Sequence, residues 1–328
     1  MSLKSTHPAE AVRRLKEAYR VLITCHRNPD GDALGSELAL AEMARRLGVQ
    51  TSIVNRDRTP ANLSNLPGAD DISVADELPG DFPSAYDLVI TVECPGLDRT
   101  GFEGLTQVPI LNIDHHPANP AYGVVNFLDE ESPAVGEMVW LMYGEAGLVP
   151  TAEAATNLFV ALSTDTGDFR YSNATSRAFR AAAEMVDVGA RPAQVANWVH
   201  NHRSLASVRL LGEALGSLKI RCNGKLAVIS ADRDAFERAG AGPEDTEEIV
   251  NIPRSIAGVE AVAYFKQWED GVVRVSLRSR GDVNVRAVAE TFGGGGHVNA
   301  AGCAIQGELS QVEQDVASAV AAALGENL

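Results

Sequence analysis

No stretch of the 328-residue sequence reaches the ~18 consecutive apolar residues that a membrane helix needs. No apolar segment follows the first positive charges either. A secretory signal is therefore not expected, and MSLKSTHPAEAVRRLKEAYR reads as an amphipathic helix. Cysteine is scarce: Cys25, Cys94, Cys222 and Cys303 are scattered, with no CxxC pair. A disulfide framework is thereby excluded, and the expectation is a cytoplasmic protein whose reduced thiols are packing residues. Basic residues are also few, 28 Lys and Arg against 44 Asp and Glu, for a net charge of −16. A protein that coats long duplex nucleic acid needs a broad basic surface and is disfavoured. A small phosphorylated substrate held at one local site is not, nor is a site that gathers carboxylates around metal. Internal repeats and low-complexity segments are absent too. The length suggests about two domains at roughly 100–200 residues each.

Within those bounds the chain falls into two halves. In the first, apolar strands alternate with helical patterns: VLITCH (21–26), a helix over 33–47, TSIVN (51–55), DLVITVE (87–93), PILNIDHH (109–116), then helices over 134–145 and 152–162. Strands apolar on both faces and separated by helices predict a parallel sheet covered by helices, with ligands beyond the carboxyl ends of the strands. His26, Glu93 and Asp114 stand at three such ends. Helical patterns fill 176–215. After that the grammar changes to hairpins, with Asn223-Gly224 and Asp270-Gly271 between apolar runs, and helices after Val283 and Leu309. The expected fold is an α/β parallel-sheet domain over 1–190, a helical linker over 191–215 and a smaller α+β domain over 216–328, with a cleft between the domains.

Four turns of the first half end in carboxylate or imidazole. They are His26, Asp30 and Asp32 in HRNPDGDALGS; Glu93 in TVE; Asp114, His115 and His116 in DHH; and Asp165 in TDTGDF. One such turn is best read as capping, and Asp32 is placed to cap the helix that follows it. Four are not. Carboxylates gathered at this density repel unless protons or cations hold them. The donor set is mostly oxygen, with a few imidazoles and no thiolate, which suits Mn²⁺ or Mg²⁺. It is large enough for two ions sharing a bridge, the arrangement that clamps an in-line phosphoryl displacement.

In the second half, GGGGHVNAAG (293–302) reads as a nest of backbone N–H groups at Gly294, Gly295 and Gly296, with His297 as a further donor. Arg278, Ser279 and Arg280 end a strand just upstream. In a chain of this charge they read as a phosphate clamp. His7, His200, His202 and Asp168 are read as surface, rim or supporting residues.

These motifs, in this order along nearly the whole chain, resemble the DHH phosphoesterase superfamily with its DHH-associated C-terminal domain. The pairing is similar to the RecJ-like family of nano-RNases and pAp phosphatases. The resemblance implies two Mn²⁺ ions, with Mg²⁺ and Co²⁺ as alternatives. His26 and Asp30 match ligands of the first ion. Asp32, His115 and Asp165 match ligands of the second. Glu93 stands where the family carries a bridging aspartate, a departure that adds one methylene. Asp114 matches the residue that orients the histidines, and His116 the one beside the scissile phosphate. The implied substrates are short oligoribonucleotides and pAp, with no membrane partner and a homodimer among the expected assemblies. A phosphodiesterase for linear dinucleotides such as pGpG or pApA would use nearly the same site. A RecJ-type DNA exonuclease would need further domains and a less acidic chain. A family II pyrophosphatase would lack GGGGH and AAG. A non-catalytic nucleotide sensor would have lost several metal positions, whereas only Glu93 deviates.

Overall fold

Strand order in the first unit decides where its loops converge. The computed structural model describes residues 3–327 except 118, 202, 247, 248 and 270, and describes every side chain among them but those of Leu3, Lys4 and His297. The turn residue Asp270 and the rim residue His202 therefore lie outside the described residues. The chain divides into two compact units, Met1–His202 and Arg203–Leu328.

The first unit runs β1 (Leu3–Ser5), α1 (Ala9–Glu17), β2 (Arg20–Thr24), α2 (Gly31–Arg46), β3 (Gln50–Asn55), β4 (Ile72–Val74), β5 (Leu88–Val92), β6 (Ile110–Asp114), β7 (Val125–Leu128), α3 (Val135–Ala146), α4 (Ala152–Asp165), α5 (Ser176–Val188) and α6 (Pro192–His200). Its seven strands are all parallel, in the order β1-β7-β6-β5-β2-β3-β4. β5 and β6 are buried along their whole length, as continuous apolar runs in a sheet covered on both faces should be. From β2 the chain builds outward through β3 and β4. It then returns to the other side of β2 to build β5, β6 and β7. The reversal lies between β2 and β5, and it is there that a doubly wound sheet opens a crevice at its carboxyl edge.

Two strands depart from the reading of the sequence. Residues 3–5, expected to be helical, form a short strand at the edge of the sheet, and the helix begins only at Ala9. β7 (VNFL) is too short to show a period, yet it is fully buried between β6 and β1.

α2 and α4 lie against each other so closely that a Cβ at Gly35 would sit 2.3 Å from the Asn157 carbonyl oxygen. One at Gly31 would sit 2.4 Å from Thr164 Oγ1. This contact sets the start of α2 beside the end of α4, and so places Asp32 near Asp165.

The second unit runs α7 (Leu205–Gly216), β8 (Lys219–Arg221), β9 (Leu226–Ala231), α8 (Arg233–Ala239), β10 (Ala261–Glu269), β11 (Val272–Ser279), α9 (Val285–Thr291), β12 (Gly295–His297), β13 (Ala300–Gln306) and α10 (Leu309–Ala323). Its sheet is mixed, in the order β12-β13-β11-β10-β9-β8, with β9 and β10 parallel and the other pairs antiparallel. Both expected hairpins form. The Asn223-Gly224 turn is longer than the two residues expected, since Arg221 pairs with Leu226 across a 3₁₀ turn. No helix among the described residues is long and apolar enough to cross a membrane.

Candidate metal centre

Beyond the carboxyl ends of β2, β5 and β6 the polar residues converge on one point. Atoms of Asp32, His115 and Asp165 lie within 4.8 Å of one another, as do atoms of Glu93, His115 and His116. His115 is common to both groups. Its Nδ1 lies 3.0 Å from the carbonyl oxygen of Ser132, which can only accept, so Nδ1 carries the proton. Nε2 is thereby turned toward three carboxylates, at 3.5 Å from Glu93, 3.7 Å from Asp165 and 4.0 Å from Asp32.

Each carboxylate reaches this point by a different local device. Asp30, and not Asp32, caps α2, accepting from the Ala33 N–H at 3.0 Å. Asp32 turns inward instead and accepts from the N–H groups of Val135 and Gly136 at 2.7 and 2.8 Å, and from Ser36 Oγ at 3.1 Å. These are the first N–H groups of α3, whose own N-cap residue, Ala134, has no side chain to offer them. Asp165 ends α4, where the helix dipole opposes a negative charge. Asn173 steadies it by donating to its backbone oxygen at 3.1 Å. Glu93 closes β5 at φ 55°, a left-handed conformation uncommon for a residue with a long side chain. Its Oε2 is buried without a hydrogen-bond partner.

The electrostatics call for a cation. Burial, with the charges of Glu93 and Asp165, holds Asp32 well above the usual carboxylate range. Asp165 is pushed up to about 6, first by burial, with His115 opposing and Glu93 and Asp30 adding to the shift. Burial lowers the His115 pKa, but Glu93 and Asp32 outweigh it and raise it to about 11. In the protein alone, then, a proton on Nε2 holds the carboxylates together. A divalent cation at the same point would do so with more charge, and Glu93 Oε2 has no other partner to give up. The oxygen-rich donor set fits a hard metal ion.

His26 repeats the orientation of His115, with Nδ1 2.8 Å from the Arg27 carbonyl oxygen and Nε2 3.9 Å from Asp30. Neither residue joins the two groups above, although Asp30 is near enough to raise both Asp32 and Asp165. Asp114 is completely buried. It holds His116 Nδ1 at 2.9 Å through one oxygen and accepts from Asn119 at 2.6 Å through the other. It therefore orients His116 rather than facing the cluster. Its hydrogen bond, against burial and with lesser help from the charge of Glu93, raises the His116 pKa. His200 pairs with Asp168 at 3.0 Å, a supporting contact as expected of both, and all four cysteines are buried thiols.

Residue type alone does not reveal the support of His115. Ser132, whose carbonyl takes the His115 N–H, donates its hydroxyl to Glu137 at 2.8 Å. Glu137 is in turn gripped by both ends of the Arg177 guanidinium at 2.7 and 2.6 Å. Arg177 also pairs with Asp129 at 2.7 Å. Nothing in the sequence links α5 to the turn before α3. Arg177→Met should lower apparent metal affinity or activity by about 10–100-fold, as loss of support behind a metal ligand does elsewhere. Activity titrated against Mn²⁺ checks this. Restoration of the rate at high metal marks a positioning role, and an unchanged titration rules it out.

In the second unit the glycine run is not a nest. The N–H groups of Gly293 and Gly294 are taken by the carbonyls of Glu290 and Ala289, ending α9. Gly295 and Gly296 form β12, paired with Gly302 and Ala301. The glycines are there for close approach: a Cβ at Gly296, φ 141°, would lie 2.5 Å from the Ala300 carbonyl oxygen. Ser279 is buried, donating to the Val283 carbonyl at 2.6 Å and accepting from Asn299 at 2.9 Å, so its hydroxyl braces a loop and is not free for substrate. Arg280 is exposed beyond the strand. Arg278 is half-buried, and burial together with Arg254 holds its pKa down. Among the described residues no carboxylate lies within 4.0 Å of either arginine, so the pair is a cationic spot without an internal counterion. Arg254 sits in a 3₁₀ turn and belongs to no motif. His297 stands outside the described side chains.

Comparison with known proteins finds relatives of both units. The model of the DHH family, N-terminal domain, matches residues 20–162, and that of the DHHA1 domain matches residues 211–326. The chain is 33% identical over 303 residues to the bifunctional oligoribonuclease and PAP phosphatase NrnA of Thermus thermophilus, covering 92% of this chain and 89% of that protein. It is 25% identical over 302 residues to the protein of the same name from Bacillus subtilis, covering 90% and 92%. Among solved structures, an exopolyphosphatase-related protein from Bacteroides fragilis superposes with a TM-score of 0.84 at 23% identity, over 95% of this chain and 94% of that one. Exonuclease RecJ bound to manganese shares the fold with a TM-score of 0.53 at 17% identity, over 99% and 95%.

Proposed function

Because the chain belongs to the DHH family and is a phosphoesterase of the bifunctional oligoribonuclease and PAP phosphatase type, we propose that it hydrolyses short oligoribonucleotides to mononucleotides and removes the 3′-phosphate of pAp, with Mn²⁺ as the native metal. The observation that carries this reading is the Nε2 face of His115, turned toward Glu93, Asp165 and Asp32 at 3.5 to 4.0 Å. Asp32, His115 and Asp165 would hold one ion, His26 and Asp30 the other, and Glu93 would reach both. Divalent ions in such a donor set supply Lewis acidity to a phosphoryl oxygen and lower the pKa of water.

The protein's own groups do the rest. Asp114 fixes His116 through Nδ1, and its charge favours the imidazolium. The other ring nitrogen is left to donate a hydrogen bond to the scissile phosphate or a proton to the leaving oxygen. Linear dinucleotides fall within the same substrate class. A sensor that kept the fold would have no use for a complete ligand set.

In the second unit, Arg278 and Arg254, with Arg280 and His297, are proposed to hold the part of the nucleotide that does not react. Binding energy remote from the scissile bond then positions the phosphate. Arg278→Ala should lower kcat/KM for pAp and for a dinucleotide by about 10–100-fold, the worth of a charge-assisted hydrogen bond. It should change turnover of bis-p-nitrophenyl phosphate far less, since that compound has no second end to hold. Equal losses on all three substrates would remove the clamp from the account.

A further inference from the structure

Two loops at the switch point of the sheet carry arginines that the metal centre does not use. Arg27 follows His26 after β2, and Arg99 lies in the loop after Glu93 and β5. The backbone N–H of Arg27 donates to the Arg99 carbonyl oxygen at 2.7 Å, which ties the two loops together. The next residue, Asn28, is held at φ 55° and donates its N–H to Asp57 Oδ2 at 2.8 Å, which fastens the pair to the loop after β3. Arg27, Asn28, Asp57 and Arg99 line a cavity of about 490 Å³.

Both guanidinium groups are exposed. Among the described residues, neither makes a hydrogen bond or comes within 4.0 Å of a carboxylate. Asp57, the one acid of the lining, lies beyond ion-pair distance of both. Arg13, Arg20, Arg45, Arg46 and Arg56 in the same unit all have acidic partners. In a chain with 44 acidic residues to 28 basic ones, an uncompensated pair facing one cavity calls for an anion from outside. The pair is close to the metal centre: Arg27 directly follows His26, whose Nδ1 lies 2.8 Å from the Arg27 carbonyl oxygen.

We infer that Arg27 and Arg99 form an anion subsite beside the metal centre, which holds a second phosphate of the substrate, one that the reaction leaves intact. The inference rests on the nucleotide phosphoesterase reading given above. Guanidinium forks pair with phosphate oxygens bidentately, and two of them on tied loops form a preorganised cradle. The phosphate has two sources with one chemistry. It is the 5′-phosphate of the nucleotide that bears the scissile group, or the phosphodiester of the neighbouring nucleotide.

The test measures kcat/KM with Mn²⁺ for wild type, Arg27→Ala and Arg99→Ala on two pairs of substrates. pAp against 3′-AMP isolates the 5′-phosphate. A trinucleotide against a dinucleotide isolates the neighbouring phosphodiester. Both positions are exposed, so their replacement leaves the core untouched. One of the two ratios should fall by at least about tenfold in both variants, and which ratio falls identifies the source. An active wild type whose two ratios survive both substitutions within about twofold overturns the subsite alone. A wild type that hydrolyses none of the four substrates overturns the functional reading and the subsite with it.

Discussion

Asp165→Ala is expected to lower turnover by roughly three orders of magnitude, as is Asp32→Ala. A lost ligand removes several kcal/mol of charge stabilisation, and each 1.36 kcal/mol is worth about tenfold. The two variants should differ in stability. Asp32 also satisfies the first N–H groups of α3, and losing such a cap costs about 1–2 kcal/mol. Asp165 sits at the unfavourable end of α4 among other carboxylates, so the metal-free Asp165→Ala protein should melt no lower than wild type. Added Mn²⁺ should raise the melting temperature of wild type and not of this variant.

The metal effect should also depend on pH. Asp165 has its folded pKa raised from 3.8 to about 6, so its contribution is present in acid and lost as pH rises through that interval. His115 is raised from 6.5 to about 11, so its contribution is present below the lower value and lost as pH rises toward the upper. The metal-free cluster thus loses stability with rising pH, while metal binding displaces protons and strengthens. The rise in melting temperature on adding Mn²⁺ should therefore be larger at about pH 8 than at about pH 5. A rise that shrinks over that range would contradict a site held together by protons when metal is absent.

Glu93→Gln should cost about a hundredfold in kcat, since it removes the charge nearest His115 Nε2 and keeps the shape. Glu93→Asp should keep substantially more. Aspartate restores the residue usual in the family, and it tolerates the left-handed backbone at φ 55° better than glutamate does. Kinetics of the two variants at saturating Mn²⁺ decide the point. A Gln variant with the wild-type rate would make the end of β5 structural and leave another group to join the ions.

The converging residues are legible because most of them close an apolar strand or helix in a residue type that such elements rarely end in. His26, Glu93 and Asp114 stand at the ends of β2, β5 and β6, and a parallel sheet brings those ends together whatever lies between. What was not legible depends on contacts between distant segments. That Asp32 serves α3 and not its own helix requires residues about a hundred positions apart to meet. The line from Arg177 through Glu137 and Ser132 to His115 has no fixed spacing and passes through a backbone carbonyl, which every residue has. The glycine run is ambiguous in sequence because glycine serves an anion nest and a tight strand pairing equally well, and only the register of β12 on β13 separates the two. Ser279 reads in sequence with its arginine neighbours, although its hydroxyl is spent on Val283.

The most direct measurement is turnover of pAp, a ribodinucleotide and a ~20-mer RNA side by side, with Mn²⁺ and again with EDTA, each product identified. The account predicts AMP from pAp and mononucleotides from the dinucleotide with Mn²⁺, both faster than any release from the long RNA, and no turnover in EDTA. Full activity in EDTA, or a long RNA degraded faster than the dinucleotide, would contradict it.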